Sequence, residues 1–557
     1  MISTNVRLSR SVTSNLMIKR IFPCLLLLGA GGTQKVCSQT IIQRDSVMHR
    51  DFKFVQLSDL WLTENNAAAL IRFHSDNISS GEMYAQYAKG GFINYSQSPR
   101  LLNIGAEAES FYRLSPHAVV YGLINYNNFS GHDMTGSVFI DPTDKPIDIV
   151  EDSVTNRGEK HLDTYHLIGA IGFRLWKDIS LGAKIDFTAA NYAKYKDLRH
   201  QNKLTDIKGS LGIYYPVNDK LQIGSYYSYR RDIESLRYNV YGKTDRTYIS
   251  LIDYGGFIGQ TEQFSTEGYT GSDQELPFFD EYQGYGVQID IKMHSLLTWH
   301  NSFSTDRRHG YYGRNSPYTI VYTRHQGHEY EYSSILEYRL PKSLHQLNIS
   351  LSADNTTNTI QHYLSAVNKE GATYYEYYDP VKSGNKVTVN TNIGYTGYWD
   401  IKGEIPTWNI GMGVNLYHRN FTAYCYPFYR KQRWNSTEAY FTGTHNINLS
   451  KGILTLCAGA SYKKGSGKPY EDGTFIAPSD KQQSPPEEPV YLYQEYAWYM
   501  APQYRVKSYI KYAFIFPDTL SKAYIQLQAD NRHANVNNNY LRGHDHWSIT
   551  CTIGCNF

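Results

Sequence analysis

The chain ends in the stretch Trp547-Ser-Ile-Thr-Cys-Thr-Ile-Gly-Cys-Asn-Phe557. Every odd position of this stretch is apolar, and every even position is small or polar. In an extended strand, a period of two places all the apolar side chains on one face. The stretch therefore predicts a strand, which either closes a membrane-spanning barrel or lies half-buried in a soluble domain.

The same alternation returns along most of the chain after residue 81. It is clearest between Tyr165 and Phe187, where Lys177-Asp178 separates two runs that each carry one apolar face and one polar face. A short turn between two alternating runs is typical of an antiparallel hairpin. Repeated over residues 81–557, the pattern predicts an all-β, up-and-down antiparallel barrel of about 18 strands, with 14 or 16 as alternatives.

Connections between the predicted strands fall into two classes. Short turns such as Ser115-Pro116, Lys177-Asp178 and Pro341-Lys342 mostly alternate with long polar connections such as 131–161 and 464–489. Transmembrane barrels have short turns at one end and long loops at the other. Soluble sandwiches have no reason to keep the two classes apart, so the connections favour the membrane barrel.

Composition agrees with a barrel and excludes one class of partner. Aromatic residues make up 15% of the 557 residues, with 51 Tyr. A Tyr side chain has an apolar ring and a polar tip, which suits a surface that meets both lipid and water. The formal net charge of +3 provides no basic footprint, so we expect no nucleic-acid partner.

The amino-terminal residues have the pattern of a secretory leader. Lys19-Arg20 precede an apolar run from Ile21 to Ala30, and small or polar residues follow it. This pattern predicts a signal peptide over residues 1–39, with Met17 as an alternative start. No later stretch approaches the roughly 20 apolar residues of a membrane-spanning helix. A secreted chain without such a helix is either soluble or an outer-membrane barrel.

Residues 40–80 do not alternate. The stretch Leu57–Leu70 predicts a helix with Ser58 as its N-cap. Two interpretations remain open: a plug inside the barrel mouth, or a short periplasmic helix packed against the first strand. Asn66 and the alanines after it resemble the Asn-Pro-Ala segment near the amino terminus of fatty-acid-transport barrels, with Ala67 in place of that family's Pro.

No motif in the sequence predicts a catalytic site or a metal site. The sequence contains neither a nucleophile elbow nor a His-Glu-x-x-His motif, so we predict no enzyme, no catalytic residue, no metal ligand and no cofactor. Acidic residues in the first long loop have oxygen ligands that suit calcium, but their spacing fits no EF-hand loop. A solvated acidic loop is the favoured interpretation of this cluster: Asp141, Asp144, Asp148, Glu151 and Asp152.

Charged residues on the polar face of the predicted strands are candidates for the lumen. Both signs are present, which suits a water-filled or plugged lumen without strong ion selectivity, or internal salt bridges in a narrow barrel. The candidates are Arg174, Lys184, Asp186, Asp290, Lys292, Asp354, Asp530 and Arg532.

The leader, the alternating strands with unequal connections and the terminal stretch together resemble the tyrosine-rich, functionally uncharacterised outer-membrane β-barrels of Bacteroidota. The resemblance implies the cell outer membrane as location and membrane lipid as surroundings. The terminal residues Trp547, Ile549, Ile553 and Phe557 then form the strand that the barrel-assembly machinery recognises.

Three functions remain open for such a barrel. The first is a channel or uptake protein for a small solute. The second is a structural or interaction barrel whose long loops bind a surface partner. The third, and least favoured, is an outer-membrane hydrolase whose active site is assembled from distant strands.

Overall fold

The computed structural model describes residues 50–152, 157–241, 247–264, 275–515, 521–536 and 539–557, all within the compact unit Val47–Phe557. The predicted signal peptide over residues 1–39 and the alternative start at Met17 lie outside these residues, so the leader stays a prediction. No helix in the described ranges is long and apolar enough to cross a membrane.

Strands dominate the described residues. In chain order they are β1 Ile78–Gly90, β2 Arg100–Ser115, β3 Ala118–Met134, β4 Asp148–Glu151, β5 Gly158–Trp176, β6 Ile179–Lys194, β7 Arg199–Asn218, β8 Leu221–Asn239, β9 Tyr248–Asp253, β10 Gly259–Phe264, β11 Leu276–His294 and β12 Leu297–Gly313. They continue with β13 Val321–Leu340, β14 Ser343–Ile360, β15 Tyr363–Val367, β16 Thr373–Tyr377, β17 Val381–Lys402, β18 Ile405–Cys425, β19 Phe428–Leu449, β20 Gly452–Ser466, β21 Glu471–Thr474, β22 Gln503–Ile515, β23 Lys522–Ala534 and β24 Asp545–Asn556.

Eighteen of these strands form one closed antiparallel barrel, which confirms the predicted fold class and strand number. Each barrel strand pairs with the next barrel strand along the chain, and β24 pairs with β1 from Gly90↔His546 to Ser80↔Asn556. The backbone nitrogen of Phe557 also donates to the carbonyl of Ser79 at 3.0 Å. Closure leaves the barrel without an unpaired edge strand.

The connections separate as predicted. Two-residue turns such as Lys177-Asp178 and Pro341-Lys342 join strands at the end where β1 begins and β24 ends. Longer connections lie at the other end, apart from the two-residue turn Tyr426-Pro427 between β18 and β19 and the four residues 195–198 between β6 and β7. The long connections carry the six remaining strands: β4, β9 and β10 form a three-stranded sheet, β15 pairs with β16 in a hairpin, and β21 pairs with β19.

The outer face of the barrel is apolar. Trp547, Ile549, Ile553 and Phe557 of the terminal stretch are 36, 47, 61 and 53% exposed, whereas Ser548 and Thr552 between them are buried. Other barrel strands show the same arrangement, with exposed side chains such as Ile185, Leu211 and Leu527. An apolar face of this extent on a closed barrel is expected to contact lipid.

The single helix predicted over Leu57–Leu70 is wrong. Helix α1 spans Phe52–Ser58 with Asp51 as its N-cap, so Ser58 ends a helix rather than beginning one. Two short 3₁₀ helices follow, Leu60–Thr63 and Ala67–Arg72. Asp59 and Asn66 accept hydrogen bonds from the backbone two residues further on, and this local bonding interrupts a continuous helix.

The residues after Pro489 favour a strand that starts near residue 491, but this prediction is wrong. Helix α2 occupies Pro489–Met500, and β22 begins only at Gln503. The run is rich in Tyr and contains Val490, which favours a strand on local preference. Pro489 at the first turn suits a helix start, and Tyr491 and Leu492 are buried among loop residues, so tertiary packing overrides the local preference.

Substitution of Leu527, which is 56% exposed on β23, tests whether the outer face meets lipid. We expect Leu527→Arg to destabilise the barrel in lipid by about 2–4 kcal/mol, the cost of an arginine on a lipid face near the bilayer centre. Urea unfolding in vesicles measures the change. Gln528→Arg, one residue further on and on the inner face, is the control and should change stability little. Equal effects of the two substitutions would contradict a lipid-facing outer surface.

Candidate functional site

Residues 50–77, here called the inner segment, lie inside the barrel against a row of glycines on four neighbouring strands. A Cβ at Gly182 would lie 2.1 Å from the backbone nitrogen of Ala68, and one at Gly212 would lie 2.1 Å from Oδ1 of Asn66. Only glycine permits so close an approach of two backbones. We call this row the glycine seat; its members are Gly172, Gly182, Gly212 and Gly224.

Hydrogen bonds to β7 and to β11, which is the strand next to β8, complete the attachment of the inner segment. The Asn66 side chain donates to Oε1 of Gln288 at 2.9 Å and to the carbonyl of Ile213 at 3.0 Å. The indole nitrogen of Trp61, which is 1% exposed, donates to Oδ2 of Asp290 at 2.7 Å. A buried polar group is stable only when it is paired, so these bonds fix the depth of the segment.

A histidine links the wall to the inner segment. Nδ1 of His300 lies 2.6 Å from Oδ1 of Asp290, and its Nε2 lies 3.2 Å from Oε1 of Glu64. His300 is fully buried, and Glu64 also accepts from the side chains of Gln288 and Ser302. Glu64, near the middle of the inner segment, therefore attaches the segment to the wall through a network of polar side chains.

The other end of the barrel is covered by a composite lid. We define the lid as residues 135–152, residues 247–264 and helix α2; it contains the sheet of β4, β9 and β10. Ion pairs attach it to the wall: Lys145 to Glu234 at 3.2 Å and Glu495 to Arg419 at 2.8 Å. Burying a charge is costly unless it is paired, so the pairs hold the lid in one position.

The expectation of a solvated acidic loop is wrong for two of its residues. Glu151 is 1% exposed and pairs with Lys160 at 3.0 Å and with Lys194. Asp148 is 5% exposed and accepts from the hydroxyls of Ser137 at 2.6 Å and Tyr95 at 3.0 Å. In the part of the chain that the structure describes, no group of three or more His, Cys, Asp or Glu side chains is arranged to hold a metal ion.

A chamber of about 920 Å³ lies between the inner segment and the lid. Glu64 and Asn65 line it on the side of the inner segment, and the lid contributes residues such as Asp148, Asp253 and Glu495. The lining contains ten acidic and five basic side chains, together with many Ser, Thr and Asn residues from the wall. Such a lining holds water or a hydrophilic solute rather than a lipid tail.

Two carboxyl groups of the lid face each other across the pairing of β4 with β9. Asp148 lies directly opposite Asp253. Burial raises the pKa of Asp148 to about 8, and the charge of Asp253 adds to the effect. Burial likewise raises the pKa of Asp253 to about 7, although a hydrogen bond from the backbone nitrogen of Gly255 acts in the opposite direction and lowers this pKa. The closed lid therefore favours protonated carboxyl groups.

Three of the eight predicted lumen residues contact the inner segment or line the chamber, and a fourth, Asp186, pairs with His166 of the wall. Asp290 accepts from Trp61, and Lys184 donates to Oδ1 of Asn65 at 3.3 Å. Asp186 lies 2.7 Å from Nε2 of His166. Asp354 lines the chamber.

The other four lie elsewhere. Asp530 pairs with Arg505, and the guanidinium of Arg532 lies 4.5 Å from the ring centre of Trp498 in α2. Arg174 and Lys292 are exposed beside the short turns.

Several functional residues escaped sequence reasoning. Glu329 and Glu331 line the chamber from β13, and Arg419 lines it from β18. The sequence did contain a signal for the two glutamates. They lie on either side of Tyr330, which faces outward, so the alternation of a strand places both glutamates on the inner face. The sequence contains no signal for the glycine seat, because alternating glycines in a strand do not show which part of the chain packs against them.

Eighteen antiparallel strands closed around an inner segment and a lid define a large plugged β-barrel. Residues 67–557 match the family described as "Family of unknown function (DUF6850)", and the chain belongs to that family. No curated protein matches the chain.

Several solved structures are similar in fold. The ferric preacinetobactin receptor BauA from Acinetobacter baumannii is 8% identical, with 86% of this chain and 80% of that chain covered and a TM-score of 0.35. The outer membrane transporter YddB from Escherichia coli is 7% identical, with 87% and 81% covered and a TM-score of 0.39. A mutant of the TodX monoaromatic hydrocarbon channel is 10% identical, with 88% and 92% covered and a TM-score of 0.30.

Substitution in the glycine seat should release the inner segment. We expect Gly182→Val to displace it, because the added Cβ would overlap the backbone of Ala68 and overpacking costs about 1–3 kcal/mol. Tryptic cleavage after Lys53 or Arg72 in the otherwise intact barrel measures the release. Gly169→Val on β5 is the matched control, since a Cβ there meets nothing within 4 Å. Equal protection of both variants would contradict the role of the seat.

The lid should loosen as the pH rises. Both carboxyl groups have folded-state pKa values above the ordinary 3.8, so the closed lid binds more protons than the opened lid. Its stability therefore falls from about pH 4 to about pH 8 and changes little above that. Hydrogen exchange of residues 248–253, corrected for the intrinsic effect of pH, measures the opening.

Asp148→Asn combined with Asp253→Asn should flatten this pH profile. Asp141→Asn, at an exposed lid position, is the control and should keep the slope. A profile in the double variant that is as steep as in the unmodified protein would show that other groups control the lid.

Proposed function

We propose that the protein is an outer-membrane barrel that takes up a small hydrophilic solute through the chamber. The observation that carries the proposal is the chamber itself, which lies between two separately attached covers inside a closed 18-stranded barrel. Barrels of 16 to 18 strands leave an interior too wide for side chains alone to fill. The inner segment and the lid act as gates on the two sides of the chamber.

Features of the barrel wall support a location in the cell outer membrane. The barrel strands are 12 to 22 residues long, and about 9–11 residues suffice to cross a bilayer. The outer face is apolar, and Trp547, Ile549, Ile553 and Phe557 are exposed on it. Membrane lipid is then the surrounding partner, and the terminal strand is the element offered to the barrel-assembly machinery.

The two covers have separate attachments to the wall, which supports gates that open separately. The inner segment is held by close backbone packing, by hydrogen bonds to Asp290 and Gln288, and by the ion pair of Lys53 with Glu109 at 2.5 Å. The lid is held by buried ion pairs such as Lys145 to Glu234 and Glu151 to Lys160. The raised pKa values of Asp148 and Asp253 make the stability of the lid depend on pH, whereas close backbone packing does not, so the covers respond to different conditions.

Single-channel conductance in a planar bilayer tests the proposal. We expect the unmodified protein to pass no current or to open rarely, because the inner segment fills the barrel near the short turns. Gly182→Val, which displaces the segment, should give stable current steps at about pH 8, where the lid is loosened, and few at about pH 4, where the lid is closed. Gly169→Val should behave like the unmodified protein.

One result would overturn the uptake proposal. Suppose that Gly182→Val releases the inner segment, as tryptic cleavage reports, and still passes no current and no solute into vesicles at about pH 8, where hydrogen exchange reports a loosened lid. The barrel would then lack a continuous path, and the alternative of a barrel whose loops bind a surface partner would be favoured.

A further inference from the structure

We infer that the chamber binds a small hydrophilic cation, with an ammonium or guanidinium group held by carboxylates of β13 and β14. The inference rests on the proposed uptake function and specifies its substrate class. Its basis is a row of acidic side chains on the chamber wall, the prior pairing of most basic side chains around it, and buried acceptors without a partner on two residues of the lining.

The acidic row consists of Glu329, Glu331 and Asp354. Glu329 lies directly opposite Asp354 in the pairing of β13 with β14, and Glu331 lies two residues further on the same face of β13. All three side chains line the chamber. Directly opposed carboxylates repel each other and destabilise a sheet. Arrangements that destabilise the fold locally are typical of functional sites, where a bound ligand offsets the cost.

The protein itself does not neutralise this row. Among the described residues, no basic side chain lies within the 4.0 Å of an ion pair from any of the three carboxylates. Their close partners are hydroxyls: Thr356 donates to Oδ1 of Asp354 at 2.9 Å, and Ser304 donates to Oε2 of Glu331 at 3.5 Å. The row therefore keeps acceptor capacity for a cationic ligand.

Most basic side chains of the chamber are already engaged. Arg230 pairs with Asp206 through both Nε and a terminal nitrogen, at 2.9 and 3.1 Å. Arg419 and Lys145 form the lid ion pairs described above. Lys386 donates to the carbonyl of Thr143 in the lid. The chamber lining thus contains twice as many acidic as basic side chains, although the whole chain carries a formal charge of +3.

Unpartnered polar atoms provide a second, independent indication. Oδ1 of Asn358, a side chain that is 1% exposed, and Oε2 of Glu495, which is 5% exposed, have no hydrogen-bond partner among the described residues. Both residues line the chamber. Leaving a buried acceptor without a donor costs free energy. Nε of Arg419 is an unpartnered donor beside them, so the ligand carries N–H donors and at least one acceptor such as a hydroxyl.

Binding of three sugars with the same ring and different charge tests the inference. The probes are glucosamine as cation, glucose as neutral compound and glucuronate as anion, titrated calorimetrically into the full-length protein in detergent. The titrations are made on the unmodified protein and on Gly182→Val. In this variant the displaced inner segment leaves the chamber accessible from the end of the barrel with the short turns. We expect glucosamine to bind about tenfold or more tightly than glucose, because charge-assisted hydrogen bonds are stronger than neutral ones. Glucuronate should bind most weakly.

Amide substitutions identify the carboxylates responsible. Glu329→Gln combined with Asp354→Asn should weaken glucosamine binding about tenfold or more and leave glucose binding unchanged. Glu376→Gln, in the external hairpin of β15 and β16, is the matched control and should change neither. Retention of folding by the double variant is checked by its heat-dependent gel mobility, and Glu331→Gln alone serves as a milder second variant.

The outcomes separate this inference from the uptake proposal. Equal binding of the three probes, or tighter binding of glucuronate, in both proteins would overturn the cation site even if Gly182→Val conducts. The absence of any binding in both would overturn it as well. Conversely, glucosamine binding that depends on Glu329 and Asp354, in a barrel that passes no solute, would support the site and contradict uptake.

Discussion

Closure of the barrel by the backbone ladder between β24 and β1 is the constraint on which the rest of the structure depends. An open sheet of this width would leave two edges unpaired, which is costly in lipid and invites aggregation. Closing eighteen strands satisfies the edges but creates an interior that side chains cannot fill. The inner segment, the lid and the chamber between them are consequences of that width.

Two different kinds of interaction fill the interior. Near the short turns close packing is combined with polar contacts: the wall is reduced to glycine at four positions, the backbone around Asn66 lies directly on it, and Lys53 pairs with Glu109. Near the long loops the filling is electrostatic, with buried partners such as Glu151 and Lys160. Between them, Glu329 and Asp354 lie opposite each other without a basic partner in ion-pair range. In the chamber neither close packing nor ion pairing fills the interior completely. This incomplete filling makes the chamber the candidate site.

Sequence patterns predicted which face of each strand a residue occupies, but not which residues meet. The eight charged lumen candidates lie on strands of the barrel as expected, yet only Asp354 among them lines the chamber. Asp290 instead holds Trp61 of the inner segment. The mixed charge inferred from the eight residues differs from the mainly acidic lining, because the lining depends on the depth at which the inner segment and the lid come to rest.

By itself, the sequence determined the all-β class, the strand number and the separation of short turns from long connections. These features rest on a period of two and on turn residues, both of which are local. Tertiary structure alone decided that Pro489–Met500 is a helix, that the inner segment lies on the glycine seat, and that a chamber exists. Each of these outcomes depends on contacts between residues hundreds of positions apart, such as Asn66 with Gln288, which local periodicity does not encode.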